Sequence, residues 1–308
     1  MKSIISGRNI DDSVDSTLIP LTSGIRIQTL NYIVTLELGG RKMTVIVDTG
    51  SDLSWVQCQP CKRCYNQQDP VFNPFNISFI PNSFMQFTSV SVPGICNWKF
   101  RSLWKQPSDL NNQGLFGGAS GLVGLGRSSL SLISQTSAMF GGVFSYCLPI
   151  TEAESSGSLI MGGNSSVYKN TTPISYTRMI PNPLLPFYFL NLTGITVGSV
   201  AVQAPSFGFP SAPAFMILDT CFNLSGYQEV EIPNIKMHFE GNAELNVDVT
   251  GVFYFVKTDA SQVCLAVASL SYENEVGIIG NYQQKNQRVI YDTKGSMLGF
   301  AAEACSFD

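Results

Sequence analysis

Apolar residues in this chain fall in short runs, broken by Gly, Pro, Asn or Ser about every ten residues, a spacing typical of strands separated by turns. Residues 31–37 (NYIVTLE) alternate in period two. Arg41-Lys42 then lead into a short apolar strand, Met43–Val47, that stops at Asp48. Further strands are expected over 158–161, 187–192, 195–202, 229–239, 251–256, 263–268 and 288–291. Helical periodicity is sparse. The best short case is 130–139, whose serine-rich start can supply a cap. Pro-rich stretches at 173–186 and 205–213 read as connections, the first placed to separate two lobes. The pattern is that of an all-β protein with few short helices.

Two local features stand out. Gly121-Leu-Val-Gly124 and Gly277-Ile-Ile-Gly280 repeat a Gly-apolar-apolar-Gly pattern about half a chain apart, consistent with two related lobes. Residues 80–112 hold two of the three tryptophans, Trp98 and Trp104, beside Lys99, Arg101 and Lys105, with no readable period. That stretch is either a long surface loop or sequence foreign to the surrounding fold.

Composition narrows the chemistry. The net charge is −4 and only 13% of residues are charged, against about 25% in an ordinary soluble domain. An acidic chain without clustered Lys and Arg is not built to bind nucleic acid. A single histidine excludes sites that need two imidazoles. It leaves a Ser–His–Asp triad one candidate, His238, which sits in an alternating strand and reads as an ordinary structural residue. Carboxylates and cysteines remain. No apolar run is long enough to span a membrane.

Eight cysteines and five sequons, at Asn76, Asn164, Asn170, Asn191 and Asn223, point to an oxidising, secretory setting and a glycoprotein. Residues 1–16 contain no apolar core of a signal peptide, so a leader is expected outside this sequence. Cys58, Cys61 and Cys64, with Cys96, offer four thiols for zinc or an iron–sulfur cluster, but the sequons favour disulfides. The glycine-rich 117–126 lacks the Lys-Ser/Thr of a phosphate loop. No metal or other cofactor is expected.

The sharpest motif is Val45-Ile-Val-Asp48-Thr49-Gly50-Ser51. An apolar strand delivers a carboxylate to its end, where a hydroxyl residue and a glycine allow a tight turn. Amides and hydroxyls around such a carboxylate favour its ionised form. With the Asp52-Leu-Ser-Trp55 that follows, this segment resembles the active-site strand of pepsin-like aspartic proteases. The cysteine-rich continuation, 55–64, resembles their plant nepenthesin-type branch. The resemblance resumes at GLFGGASGLVGLGRSSLSLISQ, FSYCLP, LDTCFNLSGY, VCLA, GIIGNYQQKN and YDTKGSMLGFA, and covers about 80% of the chain.

The resemblance implies a two-lobed β fold in which each lobe contributes one aspartate. The pair shares a proton and activates a water to attack a peptide carbonyl, the aspartic-protease case by which coupled titration is usually illustrated. It implies polypeptide substrates or peptide-like inhibitors, a monomer, and a secretory destination: extracellular, vacuolar or plastid. It assigns Asp48 as catalytic, with Thr49, Gly50 and Ser51 completing the motif. It also pairs Cys221 with Cys264 and Cys147 with Cys305. Its lobes divide this chain into a propeptide-like remnant (1–30), an N-terminal lobe (31–175) and a C-terminal lobe (176–308).

The departures are as informative. No second Asp-Ser/Thr-Gly occurs, although one is expected near 206–211. The flap motif expected within 80–112 is missing too, so both lobes are expected to be incomplete. Asp219, in Met216-Ile-Leu-Asp219-Thr-Cys221, is a weak second-aspartate candidate because Cys replaces the glycine. Asp292 matches a late turn. Cys58, Cys61 and Cys64 would lack their usual partners, which implies an unpaired thiol or a rearranged bridge.

Overall fold

A computed structural model of the chain describes residues 15–61, 64–74, 116–150, 157–163, 167–168, 173–181, 187–202, 221–227, 229–257, 259, 261–267 and 276–305, and the backbone of 87–89 and 95–98. The first half carries β1 (Ser16–Ser23), β2 (Tyr32–Leu38), β3 (Arg41–Asp48), β4 (Trp55–Gln57), β5 (Phe87–Ser89), β6 (Ile95–Trp98), β7 (Gly121–Gly124), β8 (Val143–Cys147) and β9 (Gly157–Gly162). Two four-residue helices, α1 (Leu132–Gln135) and α2 (Ser137–Phe140), precede β8. The second half carries β10 (Ser175–Ile180), β11 (Phe189–Leu190), β12 (Leu192–Val197), β13 (Val200–Val202), β14 (Cys221–Asn223), β15 (Ile235–Phe239) and β16 (Ala243–Val247). It ends with α3 (Val249–Val252), β17 (Phe253–Phe255), β18 (Gln262–Leu265), β19 (Gln287–Asp292) and β20 (Met297–Ala302).

The strand carrying the motif is fixed by a tight hairpin. β2 and β3 pair from Ile33↔Ile46 to Leu38↔Arg41, leaving Gly39 and Gly40 as a two-residue turn. Both glycines have positive φ, 55° and 79°, as such hairpin turns require. Val34, Met43 and Val45 are buried on the core side. β3 then pairs in parallel with β7, which brings Asp48 level with Gly124.

A long sheet joins both halves in the order β11-β10-β20-β19-β8-β9-β1-β2-β3-β7-β4-β6-β5. The C-terminal hairpin β19–β20 reaches back to β8 through Arg288↔Cys147 to Asp292↔Val143. The second half adds a four-stranded sheet, β13-β12-β15-β16, and a three-stranded sheet, β14-β18-β17.

Several expected elements differ. The run 195–202 is a hairpin, since Val197↔Val200 closes a turn at Gly198, where φ is 59°. Over 251–256, α3 precedes β17; the Asp248 side chain caps α3 by accepting from the Thr250 amide at 2.9 Å. Only the end of 229–239 is strand. The expected connection 173–186 contains β10, paired with β20 from Ser175↔Phe300 onward. Within 1–30, residues 16–23 form β1, held between β9 and β2. The helix expected over 130–139 is two helices, with Ser131 capping the first.

One disulfide ties the halves, and others lie within each. Cys147–Cys305 links β8 to the C-terminal segment, and Cys221–Cys264 links β14 to β18, as the resemblance implied. Cys61 pairs with Cys64, the rearranged bridge, and Cys58 is also disulfide-bonded. No cysteine among the described residues is free, which removes the unpaired thiol.

Candidate active site

Asp48 ends β3 and is half-buried. Its Oδ1 accepts the Gly50 amide at 2.9 Å, so the carboxylate is held by the backbone of its own turn. Its carbonyl accepts the Leu125 amide at 2.8 Å, and the Ser51 carbonyl accepts the Gly126 amide at 2.8 Å. The turn is thus stitched to the end of β7. The neighbouring Asp52 accepts the Ser128 amide at 2.9 Å, and Ser54 Oγ accepts the Gly124 amide at 3.1 Å. Ser51 Oγ is buried and makes no hydrogen bond.

Close approach explains the glycines of β7. A Cβ on Gly124 would lie 2.3 Å from the Asp52 carbonyl carbon, and one on Gly121 would lie 1.9 Å from the Trp55 oxygen. Only glycine fits between these chain segments. Leu122, between them, is 9% exposed and packs with Ile46, Trp55 and Ala119.

Beneath the turn lies a buried aromatic cluster. Phe144 stacks on Tyr291 at 4.5 Å between centroids, and Tyr188 meets Tyr291 edge-on at 4.6 Å. The hydroxyls of Tyr146 and Tyr291 are 2.7 Å apart and hydrogen-bond to each other. Burial pushes Tyr291 up to about 12 and raises Tyr146 well above its ordinary value. Tyr146 donates to Gln284 Oε1, and Gln284 Nε2 donates to the carbonyls of Ile279 and Gly280 at 2.9 and 3.1 Å. A continuous polar chain therefore runs from Tyr291 through Tyr146 and Gln284 to the second Gly-apolar-apolar-Gly run. Tyr146, Tyr291 and Gln284 were not singled out from sequence; their only signal was a polar atom at the tip of a residue in a strand or turn.

The two echoes differ in surroundings. Gly121–Gly124 is a fully buried strand beside Asp48. Residues 276–280 belong to no strand, and Ile278, the counterpart of Leu122, is 82% exposed. Gly280 has open room on its Cβ side, with nothing nearer than Gln283 Oε1 at 3.4 Å.

Other predicted positions are accounted for. Asp219, Asn76, Asn164 and Asn170 lie outside the described residues. Asn191 and Asn223 are exposed. Asp292 accepts the Gly295 amide at 2.7 Å and closes the β19–β20 turn. His238 bridges Thr196 at 2.7 Å and Glu244 at 3.1 Å on the outer sheet, and takes no part in the site. Among the described residues, no three His, Cys, Asp or Glu side chains are grouped to hold a metal ion. No described helix is long and apolar enough to cross a membrane.

A predominantly β protein with a strand-end aspartate in an Asp-Thr-Gly turn, braced by a parallel glycine-bounded strand, has the frame of an aspartic protease lobe. Comparison with known sequences agrees: the chain belongs to the plant pepsin-like aspartyl protease family. The "Xylanase inhibitor N-terminal" family matches residues 32–82 and 105–163, and the "Xylanase inhibitor C-terminal" family matches 206–302. An aspartyl protease family protein of Arabidopsis thaliana is 34% identical over 367 residues, covering 94% of this chain and 76% of that protein. Nepenthesin-1 of Nepenthes gracilis, an aspartic proteinase, is 28% identical, covering 89% and 78%. The fold is also that of basic 7S globulin from soybean, with a TM-score of 0.65 at 15% identity, covering 96% of this chain and 100% of that one. The 367-residue match exceeds the 308 residues of this chain, so part of that relative has no counterpart here. The N-terminal family match skips 83–104, inside the stretch of foreign texture.

Proposed function

We propose that this chain is an aspartic endopeptidase by descent that retains one half of the catalytic apparatus and is impaired in peptide hydrolysis. The observation that carries the reading is the contrast between Leu122, 9% exposed beside the Asp48 strand, and Ile278, 82% exposed with no strand beside it among the described residues. In the N-terminal half, the glycine-bounded run is covered by the strand that delivers Asp48. In the second half, the equivalent run has no such neighbour among the described residues, and the sequence holds no second Asp-Ser/Thr-Gly.

The chemical consequence follows from proton bookkeeping. Hydrolysis through an aspartate pair needs one carboxylate to take a proton from water and one acid to give a proton to the substrate. Asp48 alone supplies one group. Each lost proton transfer costs about 10²–10⁴-fold in rate. On this reading the chain engages polypeptides or peptide-like inhibitors as a monomer without efficient turnover. Exposed sequons at Asn191 and Asn223 and paired cysteines support a secretory destination with glycosylation there.

Calorimetric titration with a pepstatin-type inhibitor at about pH 4 tests the reading, since transition-state mimics gain their affinity from an assembled site. Weak binding, little changed by Asp48→Asn, is expected. Tight binding lost in Asp48→Asn would overturn the reading. Equal loss in Asp219→Asn would identify the missing partner.

A further inference from the structure

We propose that the Cys61–Cys64 bridge is a thiol–disulfide exchange site, reduced by a dithiol while the rest of the molecule stays folded. The site stands apart from peptide hydrolysis and is independent of whether Asp48 has a catalytic partner. Its cysteines are three residues apart, in Cys61-Lys62-Arg63-Cys64, whereas Cys221–Cys264 and Cys147–Cys305 span 43 and 158. A bridge stabilises a fold by restricting the unfolded chain, and the effect grows with the loop it closes. The Cys61–Cys64 bridge therefore contributes least of the three.

The chain on either side is held without it. Before the bridge, Cys58 lies in a parallel β-bridge with Phe72. The Gln59 amide donates to the Phe72 carbonyl at 2.7 Å, and the Phe72 amide donates to the Gln57 carbonyl at 3.1 Å. After the bridge, the buried Gln57 side chain takes both backbone groups of Tyr65. Its Oε1 accepts the Tyr65 amide at 2.9 Å, and its Nε2 donates to the Tyr65 carbonyl at 3.1 Å. The Tyr65 hydroxyl donates to the Ala119 carbonyl at 2.8 Å, and its ring stacks on Phe116. Both feet of the segment are fixed to the first half by contacts that survive reduction.

Access and charge select this bridge. Cys64 is exposed and Cys61 half-buried, whereas Cys58, Cys147, Cys264 and Cys305 are at most 9% exposed. Cys221 is exposed too, but it sits directly opposite Cys264 in the β14–β18 ladder, and its nearest charged neighbour in sequence is an acid, Asp219. Lys62 and Arg63, between Cys61 and Cys64 in sequence, favour the thiolates that attack and leave. In the exchange, one thiolate of the dithiol attacks Cys64 Sγ, the S–S bond breaks and Cys61 leaves as a thiolate. The reductant's second thiolate then attacks its own sulfur in the mixed disulfide, closing the reductant's disulfide and releasing the Cys64 thiolate. Two electrons pass to the chain, and the two protons given up by the dithiol pass to Cys61 and Cys64.

The test exposes the oxidised full chain to dithiothreitol at neutral pH, quenches with acid at intervals, alkylates the free thiols and maps them by mass spectrometry. Near-UV circular dichroism is followed in parallel. Cys61 and Cys64 should be labelled together, about tenfold or more faster than any other cysteine, with no change in the near-UV spectrum. Lys62→Ser/Arg63→Ser should slow that labelling by about threefold, the effect of two cations near an exposed thiolate. Cys61→Ser/Cys64→Ser should lower the urea midpoint by less than Cys221→Ser/Cys264→Ser does. Opening of Cys147–Cys305 or Cys221–Cys264 at the same rate would overturn the proposal, as would opening of Cys61–Cys64 only as the near-UV signal is lost. A labelling rate unchanged in Lys62→Ser/Arg63→Ser would overturn it as well, since those charges distinguish this bridge from Cys221–Cys264.

Discussion

The hydroxyls of Tyr146 and Tyr291 stand 2.7 Å apart in the core under the Asp48 turn and hydrogen-bond to each other. Through Tyr146 the pair continues to Gln284 and so to the carbonyls of Ile279 and Gly280. The tyrosine pair is thereby tied to the second Gly-apolar-apolar-Gly run by neutral hydrogen bonds. Tyr146→Phe removes the hydroxyl and leaves Gln284 Oε1 buried without its donor. A loss of about 1–3 kcal/mol in urea unfolding is expected, with Gln284→Leu giving a loss of similar size. Full stability in Tyr146→Phe would show that the chain of bonds contributes nothing.

The same burial sets an alkaline limit. Tyr291 is pushed up to about 12 by burial, while an unfolded tyrosine ionises near 10. Between these values the unfolded chain releases protons that the folded chain keeps, so stability present below about 10 declines as pH rises through about 12. Tyr146, Tyr188 and Tyr65 are raised by burial as well and act in the same direction. The urea midpoint measured from pH 9 to 12 should fall steadily above about 10, and phenolate absorbance should lag behind that of the denatured protein. A flat midpoint across that range would contradict the burial of these hydroxyls.

The two echoed glycines give a direct contrast. At Gly124 an added Cβ would meet the Asp52 backbone at 2.3 Å, whereas at Gly280 nothing lies within 3.4 Å. Gly124→Ala should cost about 3 kcal/mol or more, because backbone must shift. Gly280→Ala should change stability by less than about 1 kcal/mol. Thermal or urea unfolding of the two variants decides it; equal costs would mean that the second run is covered like the first.

A buried ion pair offers another check. Arg288 is 3% exposed; its Nε donates to Glu303 Oε2 at 2.9 Å, and its Nη2 donates to Glu303 Oε1 and, at 2.8 Å, to Ser158. Glu303→Gln leaves the guanidinium uncompensated and should cost about 3–5 kcal/mol. The double variant Arg288→Met/Glu303→Leu should recover much of that loss, as measured by urea unfolding.

How much of this was legible in the sequence depends on the range of the interaction. The β2–β3 hairpin and Asp48 were readable because alternation, the Gly39-Gly40 turn and the Asp-Thr-Gly motif are all local. The Ser131 cap was readable for the same reason. β1 was not: Pro20 and the flanking serines and threonines look like connecting chain. The proline is tolerated because β1 pairs with β2 only from Leu21 onward, while its earlier residues face β9 alone. β10 was hidden by the prolines around it, since its partner β20 lies over a hundred residues away. The hairpin at Gly198 was merged into one strand because its two-residue turn is shorter than the runs it separates. At the site, Asp48 and its turn were legible, but Tyr146, Tyr291 and Gln284 were not. Their roles arise from β8, β19 and a turn meeting under Thr49, which no local pattern encodes. The exposure of Ile278 was equally hidden, because sequence alone makes 277–280 look like a twin of 121–124.

The central claim is that one carboxylate motif leaves this aspartic protease relative without efficient catalysis. Its most direct test is the initial rate of cleavage of a denatured protein substrate at pH 3–5 by the purified chain and by Asp48→Asn, each with and without a pepstatin-type inhibitor. The account predicts no inhibitor-sensitive turnover and no difference between the two proteins. Inhibitor-sensitive cleavage by the natural chain that disappears in Asp48→Asn would contradict it.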